Sequence, residues 1–218
     1  MTLESALAPA NDDDVLVLPW WQNPRNIVTI VVTVALLAGM SGWLMGRTSS
    51  EQNVASSAVD VGFLHDMRVH HEQAVDMSRI YLERPDTSSG LRLVADSILF
   101  GQSIEIGLMI QLLRDMDAPT EGEVGQSMAW MGMAMADTEM PGMATVDQLE
   151  ALAASSGDEA NRLYIELMTA HHHGALEMTE QAVARAENPD VGAYAAAWNQ
   201  SQTEEIAELQ GLLPDPAD

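Results

Sequence analysis

The feature that most restricts the fold is a long-range repeat. The stretch FLHDMRVHHEQAVDM, Phe63 to Met77, returns as YIELMTAHHHGALEM, Tyr164 to Met178. At an offset of 101 positions, Phe63, Leu64, Met67, His70, His71, Ala74, Val75, Asp76 and Met77 meet Tyr164, Ile165, Met168, His171, His172, Ala175, Leu176, Glu177 and Met178. At an offset of 100, Gln102, Glu105, Ile106, Leu112 and Leu113 meet Gln202, Glu205, Ile206, Leu212 and Leu213. Each copy reads as two helices punctuated by proline: 58–83 and 87–116 in the first, 158–186 and 189–213 in the second. Two helical hairpins bury their apolar faces best against each other, which predicts an all-α, antiparallel four-helix bundle. The bundle is expected over residues 58–213, as repeats 58–116 and 158–213 around a less regular insert, 117–157, in which 145–155 reads as a short helix.

The N-terminal quarter has a different character. Residues 1–25 form a polar, acidic tail, and Ile27 to Met45 are 19 residues without a charge, flanked by Arg25 and Arg47. As a helix that stretch is ~28 Å long, the thickness of a bilayer core. Trp20, Trp21 and Trp43 lie near its ends, where indoles favour the membrane interface. A cleaved signal peptide would carry a shorter apolar region and a small-residue cleavage site, and none follows Met45. The segment 26–46 is therefore expected to be a single transmembrane anchor, joined to the bundle by a polar linker, 47–57. The signal-anchor arrangement, the absence of cysteine and the site argued below place the bundle on the extracytoplasmic side, periplasmic or cell-envelope.

Composition removes several kinds of chemistry. With no cysteine, disulfides, thiolate zinc sites, iron–sulfur clusters and cysteine nucleophiles are excluded. A net charge of −24, from 33 acidic and 9 basic residues, repels a phosphate backbone, so nucleic acid is not an expected partner. The same charge is compatible with cation capture. No nucleophile–base set or nucleotide-binding loop is apparent, so catalysis is not indicated.

All six histidines fall in the two repeated stretches. At ~100° per residue, Met67, His70, His71, Ala74 and Met77 share one helix face, as do Met168, His171, His172, Ala175 and Met178. Neutral imidazole binds copper, zinc, iron and nickel, whereas thioether sulfur selects soft ions, Cu(I) above all. Copper is therefore the favoured metal, with zinc or iron behind it. A di-iron bundle would use Glu-x-x-His on two helices, but Met67 and Met168 stand where those glutamates would be. Glu105 and Glu205 remain as secondary ligand candidates or as polar contacts between helices. His65, whose counterpart is Glu166, and His173 lie outside the doubled pattern and are weaker candidates.

These stretches resemble the domain-of-unknown-function 305 family, whose units show F-L-x-x-M-x-x-H-H-x-x-A-[VI]-x-M followed by Q-x-x-E-I. Here those are FLHDMRVHHEQAVDM with QSIEI, and YIELMTAHHHGALEM with QTEEI. The resemblance implies a ferritin-like bundle and, as for several envelope members, copper binding or tolerance. Position by position it nominates Met67, His70, His71, Met77, Met168, His171, His172 and Met178 as ligands. Arg68 and Val69 depart from the family pattern, and an anchor is not general in it.

The insert holds a further methionine cluster, with Met131, Met133 and Met135 at alternating positions. On extended backbone such spacing can offer several thioethers to one Cu(I), and the alternative is adaptable apolar packing. The function that results is a membrane-anchored copper-binding protein for sequestration, tolerance or delivery, with a copper-handling partner. The rivals are an accessory subunit of a membrane protein complex, such as a respiratory assembly, and a di-iron or copper oxidoreductase.

Overall fold

The computed structural model describes residues 57–212, so the expected tail, anchor and most of the linker lie outside the described residues. The described chain is all-helical, with α1 (Ala58–Leu82), α2 (Ser89–Asp115), α3 (Val146–Ala154), α4 (Gly157–Arg185) and α5 (Pro189–Gly211). Two 3-10 turns, Ala129–Met131 and Asp137–Glu139, sit in the insert. Among the described residues the extended pairing is a single bridge, Ser127 to Met135.

Local chemistry sets the helix ends. Ser57 and Asp60 form a capping box at the start of α1, Ser88 caps α2, and Thr145 with Gln148 boxes α3. Asn188 caps α5, whose first residue is Pro189, a position where the missing N–H costs nothing. The hairpins α1–α2 and α4–α5 are the most closely packed pairs, and α1 meets α4 in the middle, whereas α2 and α5 touch sparingly.

The repeat is also legible in the loops. Asp60, fully buried, accepts the backbone N–H groups of Glu187 and Asn188 at 3.1 Å each, tying the start of α1 to the α4–α5 turn. Its counterpart Asn161 accepts from Ser88 N at 3.1 Å and from the Tyr81 hydroxyl at 2.7 Å, tying the start of α4 to the α1–α2 turn. Each hairpin thus holds the other's turn.

The apolar core divides into two clusters at opposite ends of the central helices. The first contains Phe63, Met67, Met109, Ala175, Met178 and Trp198, and the insert contributes Met128, Trp130 and Met140 to it. The second contains Ala74, Met77, Tyr81, Ile98, Tyr164 and Met168, with Tyr81 and Tyr164 stacked at 4.4 Å. Met67 clusters with Met178 and Met77 with Met168, so α1 and α4 run antiparallel.

The outer faces of the hairpins are unlike. On α2, Leu93, Phe100 and Ile104 are 74%, 68% and 49% exposed. This helix is long and apolar enough to cross a membrane by length and composition, yet it is a packed member of the bundle. The corresponding positions of α5 are Ala193, Gln200 and Glu204.

Candidate metal centre

Where α1 crosses α4, four imidazoles are buried with no exposed surface: His70, His71, His171 and His172. His70 and His171 face each other as a pair, ring centroids 3.7 Å apart and planes inclined by 32°. Their side chains project from equivalent turns of two antiparallel helices, which brings the doubled His-His motif to one point in the fold.

Each of the four rings places Nε2 against an oxygen. His71 Nε2 lies 2.8 Å from Glu105 Oε2, and His172 Nε2 lies 2.6 Å from Glu205 Oε2. His70 Nε2 lies 3.0 Å from the Pro141 carbonyl, and His171 Nε2 lies 2.8 Å from the His70 carbonyl. Carbonyl and carboxylate oxygens only accept, so Nε2 carries a proton, and in the neutral ring Nδ1 carries a free lone pair. All four Nδ1 atoms are buried without a hydrogen-bond partner among the described residues. An imidazole whose N–H is held by an oxygen while its other nitrogen stays open has the orientation found in metal-binding histidines.

The electrostatics keep His70 and His171 neutral. Burial pulls His70 down to about 3, the Pro141 carbonyl opposing and the neighbouring His71 and His172 adding to the fall. Burial likewise holds His171 well below the usual histidine range, reinforced by His70, His172 and His71. A neutral ring is the form that can bind a metal.

Met67, Met77, Met168 and Met178 are fully buried on either side of the imidazoles. Glu105 and Glu205 are placed as acceptors for His71 and His172, which is the interhelical contact expected as an alternative to ligation. Among the described residues no group of three or more His, Asp or Glu side chains is arranged to hold one ion. The donors gathered at the crossing are imidazole nitrogen with thioether sulfur on either side, a combination of the soft kind that suits copper better than a carboxylate-rich iron centre.

The weaker candidates lie elsewhere. His65 bonds the Pro119 carbonyl at 2.7 Å, on the wall of a cavity of about 760 Å³ between α1 and the insert. Arg68 in that wall is paired to Glu72 and Glu121, both at 2.6 Å, so the departure from the family motif ties the insert to α1. His173 is exposed. Of the two alternatives for the Met-x-Met run, an extended thioether array is not formed, because the chain turns at Gly132, whose φ is +84°. Met131 and Met135 pack against the first cluster while Met133 is 47% exposed, so the three thioethers do not share one face.

Sequence reasoning missed what holds the insert over the centre. Asp66 Oδ2 accepts from Met128 N and Trp130 Nε1, each at 2.7 Å. Gln73 makes a two-bond pair with the backbone of Ala144, at 2.9 and 2.6 Å. Pro141 and Gly142 then lie across α4: a Cβ at Gly174 would overlap the Pro141 carbonyl, and a Cβ at Gly142 would overlap the backbone of Ala170 and His171. Gln102 and Gln202 are 2% exposed, and neither amide group has a partner among the described residues. A buried acid at 66 where the second repeat has Leu167, and a glycine at 174 where the first has Gln73, were the available signals.

Comparison with known proteins places the fold. A DUF305 protein from Streptomyces coelicolor, described as secreted, has a TM-score of 0.65 at 36% identity, covering 71% of this chain and 91% of that one. A DUF305 fragment from Deinococcus radiodurans has a TM-score of 0.62 at 25% identity, covering 72% and 96%. CopM in its Cu(I)-bound form is similar in fold, with a TM-score of 0.51 at 23% identity, covering 70% and 93%. No curated protein matches. The model of the family described as "Domain of unknown function (DUF305)" matches residues 60–213, and the chain belongs to that family.

Proposed function

We propose that this protein binds copper as cargo, Cu(I) in preference, at the crossing of α1 and α4, for sequestration, tolerance or delivery outside the cytoplasm. The observation that carries the reading is the set of four open Nδ1 atoms, each on a ring whose Nε2–H is already held by an oxygen. Four buried thioethers flank them, and soft sulfur with neutral imidazole is a donor set suited to Cu(I). That CopM, of the same fold, has been solved with Cu(I), Cu(II) and Ag supports a copper-related role. The secreted description of the Streptomyces coelicolor relative supports an extracytoplasmic place, and the apolar segment 27–45 supports a membrane anchor there. The role is one of binding and handing on, without catalysis.

The test is metal analysis of the full chain purified in detergent, after reconstitution with Cu(I). The unaltered protein is expected to retain copper against dialysis, and the variant with His70, His71, His171 and His172 changed to Gln to lose it while keeping its helical circular dichroism. Unaltered protein that emerges free of copper would sink the proposal.

A second reading, an accessory subunit of a membrane protein complex, is favoured by the outward apolar face of α2. Native mass analysis after mild detergent extraction separates the two: an associated complex supports the subunit role, and a lone chain counts against it.

A further inference from the structure

The copper reading, on which this inference rests, leaves open how many ions the bundle takes and which side chains hold each. The four thioethers of the two motifs are not gathered in one place. Met67 and Met178 belong to the first core cluster, and Met77 and Met168 belong to the second. The stacked His70–His171 pair lies between them at the helix crossing. Each pair joins one methionine of the first repeat with one of the second, so neither repeat owns a complete pair.

The two ends have matching furniture. The small residue beside each pair is an alanine, Ala175 in the first cluster and Ala74 in the second. On the outer helices, Gln202 follows Trp198 of the first cluster by one turn, and Gln102 follows Ile98 of the second by one turn. Both glutamines are 98% buried and carry amide oxygen and nitrogen atoms with no partner among the described residues. A buried amide left wholly unpaired costs free energy, so a symmetric pair of them marks two places where something polar or ionic is to be met.

We infer that the bundle holds two separate soft-metal sites rather than one, on opposite sides of the His70–His171 stack. The first is built on Met67, Met178 and Gln202, and the second on Met77, Met168 and Gln102. In each, the thioethers supply the soft donors, imidazole Nδ1 supplies nitrogen, and the amide oxygen faces the ion or its exchangeable ligand. The repeat thereby makes two sites between its copies instead of one site within each.

The experiment is a titration of the full chain in detergent with Ag(I), a redox-silent stand-in for Cu(I), read by native mass spectrometry. Two double variants are compared, Met67→Leu with Met178→Leu and Met77→Leu with Met168→Leu, and then the quadruple variant. Leucine for methionine nearly conserves volume and is usually tolerated in cores, and circular dichroism checks folding. Each double variant is expected to bind one Ag(I) fewer than the parent, and the quadruple variant two fewer. Loss of the same single ion by either double variant and by the quadruple one would overturn the division into two sites while leaving the copper reading intact. Absence of any Ag(I) or Cu(I) on the parent would overturn both.

Discussion

α1 and α4 carry the same ligand-type residues in the same register, yet their surroundings do different work. At the positions facing the insert, α1 presents Asp66, Arg68 and Gln73, where α4 has Leu167, Thr169 and Gly174. The α1 side chains grip the insert through Met128, Trp130, Glu121 and Ala144. The α4 residue Gly174 instead makes room for it, letting the Pro141 carbonyl lie against the helix. The pattern shared by the repeats is the one that serves the centre, and the residues that diverged are those that seat one asymmetric lid. The insert's methionine-bearing part packs into the first cluster through Met128, Trp130 and Met140, whereas its later part reaches the second through Ala144 and Leu152, so one end of the bundle is roofed and methionine-rich while the other is closed by tyrosines and the short helix α3.

The largest expected effect tests what the two helices share. His70 and His171, one from each repeat, are held neutral by burial, His70 down to about 3 from an ordinary 6.5. In the unfolded chain both protonate as pH falls through 6.5, so the metal-free fold is most stable above that value and loses stability below it, towards the depressed folded values. His70 contributes about 2 kcal/mol between pH 6.5 and 4.5, and His171 adds to the loss in the same direction. Asp66, pushed up by burial, works in the opposite direction at the acid end, as one group against two. Urea unfolding of metal-free protein across that range checks the slope. A flat profile would mean that the rings are not buried neutral, and replacement of either His by Gln should reduce the slope.

The next effects should break the symmetry. Asp66→Leu gives the first repeat the residue of the second and orphans two buried donors, at a cost of about 3 kcal/mol. It should also shift tryptophan emission, because Trp130 loses its Nε1 partner. Gly174→Ala, by overlap with backbone that cannot swing aside, should cost about 2 kcal/mol by overpacking. Gln73→Ala, at the equivalent position of α1, removes a partly exposed two-bond clamp and should cost about 1 kcal/mol. Denaturant midpoints at unchanged slope decide the order. Equal costs at Gln73 and Gly174 would contradict the division of labour between the helices.

Much of this was legible beforehand because burial leaves a periodic trace. The doubled motif implied two hairpins, prolines and capping residues marked their ends, and the helices begin and end within two residues of the expected positions, as with α1 at Ala58–Leu82 and α4 at Gly157–Arg185. The His and Met positions were visible for the same reason, as one face of each helix. What a period does not carry is the identity of the neighbour. Glu105 and Glu205 were seen as ligands or contacts, and only the packing places their carboxylates on His71 and His172. The division of the four methionines into two pairs depends on α1 and α4 being antiparallel and in register at the histidines. The insert obeys no period, so its grip by Asp66 and Gln73 and the break in the Met-x-Met run at Gly132 could not be read from it.

The smallest expected change in stability comes from the outermost difference between the repeats, and it bears most on what the protein touches. α2 exposes Leu93, Phe100 and Ile104 along one stripe, at intervals of seven and four residues that keep them on one helix face. α5 presents Ala193, Gln200 and Glu204 in the same places. Both helices pack inward through equivalent residues, including Gln102 and Gln202, so the outer stripe is free of any role in closing the core. Converting α2 to the α5 pattern with Phe100→Gln and Ile104→Glu should therefore move stability by no more than about 0.5 kcal/mol, as for surface sites generally. Ag(I) uptake should be unchanged, since neither residue belongs to either core cluster. If the stripe serves association, the variant should run as a smaller species than the parent in mild detergent by size-exclusion with light scattering. A parent and variant of equal size would leave α2 as an apolar helix without a partner and would remove the observation that favours the subunit reading.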